Sequence, residues 1–180
     1  MSRIAPVDPA AATGKVKSLL DKVHGWFGVT PQLFRVTGQA PAALDAMVGL
    51  FAAVSGGALK AGLREQIALA VSELNGCDYC LSAHTAIGKG AGVSDADLAA
   101  ARDAQASDPR AAAVLRLAVE LLQTRGHLSD AQFAAARAAG LSDGEVLEVV
   151  TNVALTTLTN FINNAAGTEV DFPRVRARAA

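Results

Sequence analysis

Three stretches of this chain open with the same short device, and it restricts the fold more than any other feature. The device runs apolar residue, Ser, acid, any residue, acid or amide, apolar residue. It occurs as Val93-Ser94-Asp95-Ala96-Asp97-Leu98, Leu128-Ser129-Asp130-Ala131-Gln132-Phe133 and Leu141-Ser142-Asp143-Gly144-Glu145-Val146. The Ser oxygen suits the N-cap, the third residue after it can reach back to the cap N–H, and the flanking apolar pair forms a staple. The extra acid complements the positive end of the helix dipole. Proline marks further helix starts at the N1 position in Thr30-Pro31, Ala40-Pro41 and Asp108-Pro109.

Between these starts the pattern predicts helices over about 10–26, 41–54, 60–75, 78–91, 95–104, 109–124, 130–139 and 143–165. Leu59, Leu63, Ile67, Val71 and Leu74 form the apolar stripe of the third. The last is apolar nearly all round, which predicts the buried centre of a bundle or a subunit interface. Ala is abundant and aromatics make up only 4% of the chain, which also favours helix. The expectation is an all-α fold, a compact bundle of about eight helices built from helical hairpins. At 180 residues it forms one domain, 1–180. Within it a redox core spans about 41–104. A candidate degenerate second half spans about 109–166, because an offset of 80 lays Glu65, Cys77, Cys80 and His84 on Glu145, Thr157, Asn160 and Asn164.

A net charge of -1 argues against nucleic-acid binding, and the basic residues Arg174, Arg176 and Arg178 read as a solvated terminus. The opening residues lack the apolar core of a secretory signal. The longest weakly charged stretch, 146–166, is rich in Thr and Asn, unlike a membrane span. The expected location is the cytoplasm, where thiols stay reduced.

That setting makes the two cysteines informative. Cys77 and Cys80 are three apart, too close to staple distant parts of a fold. Asn75-Gly76 before them is a helix-ending pair, so Cys77 falls at or just before the first turn of a new helix. Cys80 shares its face, and His84 follows one turn later. A helix N-terminus stabilises a thiolate, and a Cys-x-x-Cys pair placed there comes within disulfide reach. His84 is positioned to accept a proton from Cys80. Glu65 lies on the other arm of the hairpin at nearly the same level and is the candidate orienter of His84.

Other readings of these residues stand beside this one. The cysteines could be small buried fillers. Cys77, Cys80 and His84 could be three zinc ligands with Glu65 as a fourth, although His24 and His127 have no paired spacing. Haem attachment would need His directly after the second Cys, where Leu81 stands. Glu65 alone would be a solvated helix residue beside Arg64, and His84 alone a partly buried surface His. No resident cofactor or metal is expected.

The motif Glu65-x(11)-Cys77-x-x-Cys80-x-x-x-His84 resembles the alkylhydroperoxidase D-like branch of the carboxymuconolactone decarboxylase superfamily. So do Pro31-Gln32-Leu33-Phe34-Arg35, Leu158 to Asn164 and Gly167 to Pro173. The resemblance implies an all-helical homo-oligomer (dimer, trimer or hexamer) that reduces organic hydroperoxides, with an external dithiol or redoxin as electron donor. It implies Cys80 as the peroxidatic thiol, Cys77 as the resolving thiol, and Glu65 and His84 as a proton relay. Where the namesake enzymes carry a second His between the cysteines, this chain has Tyr79, a hydrogen-bond donor but a poor base. Two alternatives remain: a disulfide reductase serving a partner peroxidase, and a lyase of the same superfamily using Glu65 and His84 as acid and base.

Overall fold

The computed structural model describes residues 2–178. Among them are nine helices and no strand: α1 (Gly14–Phe27), α2 (Gln32–Thr37), α3 (Pro41–Ser55), α4 (Ala61–Leu74), α5 (Asp78–Gly90), α6 (Asp95–Ala101), α7 (Pro109–Thr124), α8 (Asp130–Ala138) and α9 (Asp143–Ala166). The all-α expectation holds, and the eight expected helices are all present. The ninth, α2, is a six-residue helix that the pattern does not reveal. Pro31 is its N-cap, with ψ 151°, and not its N1 residue as expected. Helix α1 starts later than expected because Asp8 first closes a turn over the N–H groups of Ala10, Ala11 and Ala12.

The Ser devices work as their chemistry requires, with one instructive exception. Ser129 with Gln132 and Ser142 with Glu145 form complete capping boxes. Ser94 accepts the Asp97 N–H at 3.0 Å, but the Asp97 carboxylate turns to Ser107 and takes its N–H at 2.8 Å. Asp is one methylene shorter than Glu, and here it ties α6 to the loop before α7 instead of closing the box.

Helix α4 is the centre of the bundle, packed against α5, α6, α7 and α9. One apolar cluster, built from α4 to α9 and dominated by aliphatic residues such as Ile67, Leu69, Val114, Leu115 and Val149, fills one side. A second cluster joins α1, α2, α3 and α5, and holds Phe34, Met47, Tyr79 and both cysteines. Close approach of α5 to α6 depends on Gly88, where a Cβ would stand 2.6 Å from Leu98 Cδ2.

Arg174 and Arg176 stay exposed as expected, but the backbone after α9 is bound to the bundle. Val175 and Ser82 exchange hydrogen bonds, Ala177 N–H donates to Asp78 at 2.8 Å, and Arg178 N–H donates to Glu73 at 2.8 Å. Arg178 also pairs with Asp103, and Arg102 bridges Glu73 and the Arg176 carbonyl. The segment from Val175 to Arg178 therefore straps α5 to the bundle. Among the described residues no helix is long and apolar enough to cross a membrane.

Candidate active site

The site grows out of the α4–α5 turn. Gly76 takes φ 61°, which costs a glycine little. Cys77 N–H then reaches the Ser72 carbonyl at 3.0 Å and Gly76 N–H the Glu73 carbonyl at 3.1 Å, a complete Schellman motif. Cys77 is thereby set as the N-cap of α5, its sulfur accepting the Cys80 N–H at 3.3 Å. The two sulfurs stand 2.7 Å apart as free thiols, both buried. The expected placement of the pair at a helix start is what the structure shows.

The hairpin also brings the predicted relay together. Glu65 Oε2 and His84 Nδ1 are 2.7 Å apart and only partly exposed, while Arg64 turns away to the Leu59 carbonyl. Burial opposes the charged form of His84, but the Glu65 carboxylate outweighs it and raises the His84 pKa. Burial likewise opposes the Cys80 thiolate. The Cys77 hydrogen bond, the His84 charge and the amides of Asn163 and Asn160 overcome that and lower Cys80 to about 6. Cys77 moves the other way, since its hydrogen bond to Cys80 and its burial both hold the proton on. Of the two sulfurs, Cys80 is thus the one that gives up its proton more readily.

Tyr79 is a strut and not a base. Its hydroxyl accepts the Leu33 N–H at 3.1 Å, linking α5 to α2. Burial, with the Asp171 and Cys80 charges adding, pushes its pKa up, so it stays a phenol. Its ring meets Phe172 edge-on at 5.8 Å. The Asp171 carboxylate takes the Gln32 N–H at 2.8 Å, which anchors the post-α9 segment to α2.

Beside Cys80 and His84 lies a cavity of about 40 Å³ walled by Phe27, Leu33, Phe34, Phe51 and Phe172. It holds one or two water-sized groups, roughly a peroxide head, in an apolar setting. Among the described residues no cluster of three His, Cys, Asp or Glu side chains could hold a metal ion, and His24 and His127 are exposed elsewhere.

Sequence reasoning missed the contribution of α9. Asn163 donates to Cys80 Sγ at 3.3 Å, Asn160 donates to Ser72 Oγ at 3.0 Å and accepts from Asn75 at 2.9 Å, and Asn164 donates to the Asn75 carbonyl at 2.9 Å. The available signal was a run of Asn on an otherwise apolar helix, since buried amides need partners. Helix α9 runs unbroken across the positions that an offset of 80 aligns with the α4–α5 turn.

The stretch 41–123, which holds Glu65, Cys77, Cys80 and His84 together, matches a protein-family model. That model describes the carboxymuconolactone decarboxylase family, which the chain resembles over this segment. No curated protein matches the sequence. Solved structures extend the likeness across the chain. An uncharacterized peroxidase-related protein from Ralstonia eutropha JMP134 with an alkylhydroperoxidase AhpD core has a TM-score of 0.85 at 25% identity, over 94% of this chain and 92% of that one. A peroxidase-related protein from Silicibacter sp. TM1040 gives 0.80 at 18% identity, over 93% and 91%. The debrominase Bmp8, as a cysteine-to-alanine variant with 2,3,4-tribromopyrrole, gives 0.80 at 21% identity, also over 93% and 91%. The alkylhydroperoxidase D-like fold is therefore the fold of this chain.

Proposed function

We propose that the protein is a thiol peroxidase that reduces small organic hydroperoxides through a Cys77–Cys80 dithiol/disulfide cycle. The observation that carries this reading is the 2.7 Å approach of two free sulfurs whose proton affinities are pushed apart, with the low-pKa sulfur facing an apolar cavity. The Cys80 thiolate attacks the terminal oxygen of the hydroperoxide, the O–O bond breaks, and Cys80 becomes a sulfenic acid. The departing alkoxide takes a proton from the His84 imidazolium, which Glu65 stabilises. The Cys77 thiol then condenses with the sulfenic acid, forming the disulfide and releasing water. Two electrons and two protons from an external dithiol or redoxin restore the Cys77 thiol, the Cys80 thiolate and the charged His84.

Cumene hydroperoxide consumption with dithiothreitol as reductant tests the reading. The parent protein should turn over, and mass spectrometry should find an intramolecular disulfide after one equivalent of peroxide. A Cys80→Ser variant that keeps the parent rate would sink the assignment. A second reading rests on the aromatic wall of the cavity together with the fold shared with a debrominase: the same thiolate could attack a ring-bound halogen. Bromide release from 2,3,4-tribromopyrrole in a parallel assay separates the two. The superfamily lyase alternative predicts activity that survives alkylation of both cysteines.

A further inference from the structure

Among the described residues nine large apolar side chains are exposed, and four of them, Leu147, Val150, Leu158 and Phe161, lie on α9. Single exposed apolar residues are ordinary, but a contiguous row of them marks an interaction surface. At about 3.6 residues per turn these four share one face with the exposed Ala154 and Ala165. No charged residue interrupts that face, since none occurs between Glu148 and Glu169. Glu148 itself is turned to the N–H groups of Ala58 and Leu59. We propose that this face is the contact between two copies of the chain, in which α9 pairs antiparallel with its counterpart about a two-fold axis at Ala154. The inference is independent of the peroxidase reading.

The spacing of the stripe decides the partner. Leu147, Val150, Ala154, Leu158 and Phe161 follow one another at intervals of 3, 4, 4 and 3 residues, so the row reads the same from either end. Two copies laid antiparallel therefore match along its whole length. Leu147 meets the partner's Phe161, Val150 meets the partner's Leu158, and Ala154 meets its own counterpart across the axis. A pattern that is its own complement is what an isologous two-fold interface needs, and an unrelated partner would place no such demand on it. The smallest side chain stands at the centre, where two crossing helices come closest, and the larger ones stand where the axes diverge. A parallel pair would instead set the two helix dipoles side by side in the same sense.

The area is of the right order as well. The four large side chains leave on the order of 400 Å² uncovered in each copy, so pairing removes about 800 Å² of apolar surface from water. Helix α3 packs beside α9, and its exposed Ala46, Gly49 and Ala53 lie in a stretch without charge that runs from Ala46 to Leu59. These small residues allow close approach of a second copy. With them and the two exposed alanines of α9, the contact reaches the roughly 1,200 Å² at which stable interfaces begin.

The test reads assembly and not catalysis. Sedimentation equilibrium of the full chain at micromolar concentration should give an even multiple of the 18.3 kDa of one copy. Ala154→Arg brings two cations together on the axis and should halve that mass. Leu147→Glu and Phe161→Lys should each weaken pairing by at least about tenfold. Along one helix these two positions are about 21 Å apart, too far to satisfy each other, but across the proposed axis each new acid faces the partner's new cation. Combined in one chain, they should therefore pair at least about tenfold more tightly than either single variant. This charge pair keeps the test open if Ala154→Arg does not fold, and far-UV circular dichroism checks the helix content of each variant. A chain that stays single or assembles in odd number, an assembly that Ala154→Arg leaves intact, or a double variant no tighter than the singles would overturn the proposal. All three outcomes would leave the peroxidase reading as it stands.

Discussion

The two ends of α9 belong to one 24-residue helix and answer to different demands. Its first half is held by a complete capping box and buries Val146, Val149 and Val153 against the aliphatic cluster. Its second half buries Thr156, Thr159, Asn160 and Asn163, and the two Asn amides reach the cysteine turn. The first half gains from removing methyl groups from water, so it tolerates little loss of volume. The second half gives up that gain to place amide donors beside a sulfur whose charge they stabilise. The comparison teaches that stability and chemistry are partitioned along one helix, and substitutions at its ends and at its sulfur neighbour should separate them.

The largest effect should come at the sulfur that the polar half serves. Cys80→Ser replaces a thiolate formed near neutral pH by a hydroxyl that does not ionise there. Peroxide turnover should fall by at least about 10³-fold, while the thermal midpoint stays close to that of the parent, because the side-chain volumes are similar. Turnover and thermal unfolding measured on one preparation check both halves of this statement. The converse belongs to the aliphatic half. Val149 is fully buried, and Val149→Ala removes two methyl equivalents and leaves a cavity, at a cost of about 2–3 kcal/mol. Urea unfolding should show that loss. Single-turnover oxidation of Cys80 in the folded protein should not change, and a rate that drops with stability would break the partition.

The sequence exposes these two halves unequally. Caps are local, so Ser129, Ser142 and Asp108 mark their helices correctly from a few residues each. The Glu65–His84 pair was also legible, because rise per residue and the Asn75-Gly76 turn fix the level of both side chains. Four features were not. Helix α2 is too short to show a period, and its Pro31 serves as N-cap because the chain there needs an extended ψ. The Asp97 carboxylate had a second suitor in Ser107, which lies beyond any local window. The amide–sulfur contact of Asn163 spans 83 positions, and only packing of α9 on the turn creates it. The same holds for the post-α9 strap, whose Arg178 looks solvated until Glu73 and Asp103 are placed beside it.

Asn163 offers the next sharpest test of the polar half. Asn163→Leu keeps the heavy-atom count and branching, with bulkier methyl groups, and removes the donor to Cys80. With one stabilising hydrogen bond gone, the Cys80 pKa should rise from about 6. The parent rate of reaction with peroxide should climb as pH rises through about 6, because the thiolate is the reactive form, and in the variant that limb should move to higher pH. At pH 6 the variant should be slower by about tenfold, and the gap should narrow towards pH 8. Stopped-flow oxidation across this range reads the shift directly. A uniform loss of rate at all pH values would mean that Asn163 positions the sulfur instead of stabilising its charge.

The smallest effect lies at the capped end, and it discriminates most finely. The backbone N–H of Ser142, with Arg110 adding, holds the Glu145 carboxyl down to about 2. A folded-state pKa below the ordinary 4.5 means that the carboxylate stabilises the fold fully above about pH 4.5, and that this contribution is lost as pH falls towards 2. Glu145→Ala removes the reach back to the cap and should cost about 1 kcal/mol at neutral pH. Its stability should also fall less steeply than the parent's between pH 4.5 and 2, since the titrating group is gone. Glu145→Gln keeps the box, as Gln132 does on α8, and should recover most of the neutral-pH loss while still lacking the acid dependence. Urea titrations at pH 7 and pH 3 separate the three proteins. If Glu145→Gln is as unstable as Glu145→Ala, then the Arg110 ion pair, and not the cap, fixes the start of α9. The aliphatic half would then owe its position to charge as much as to burial.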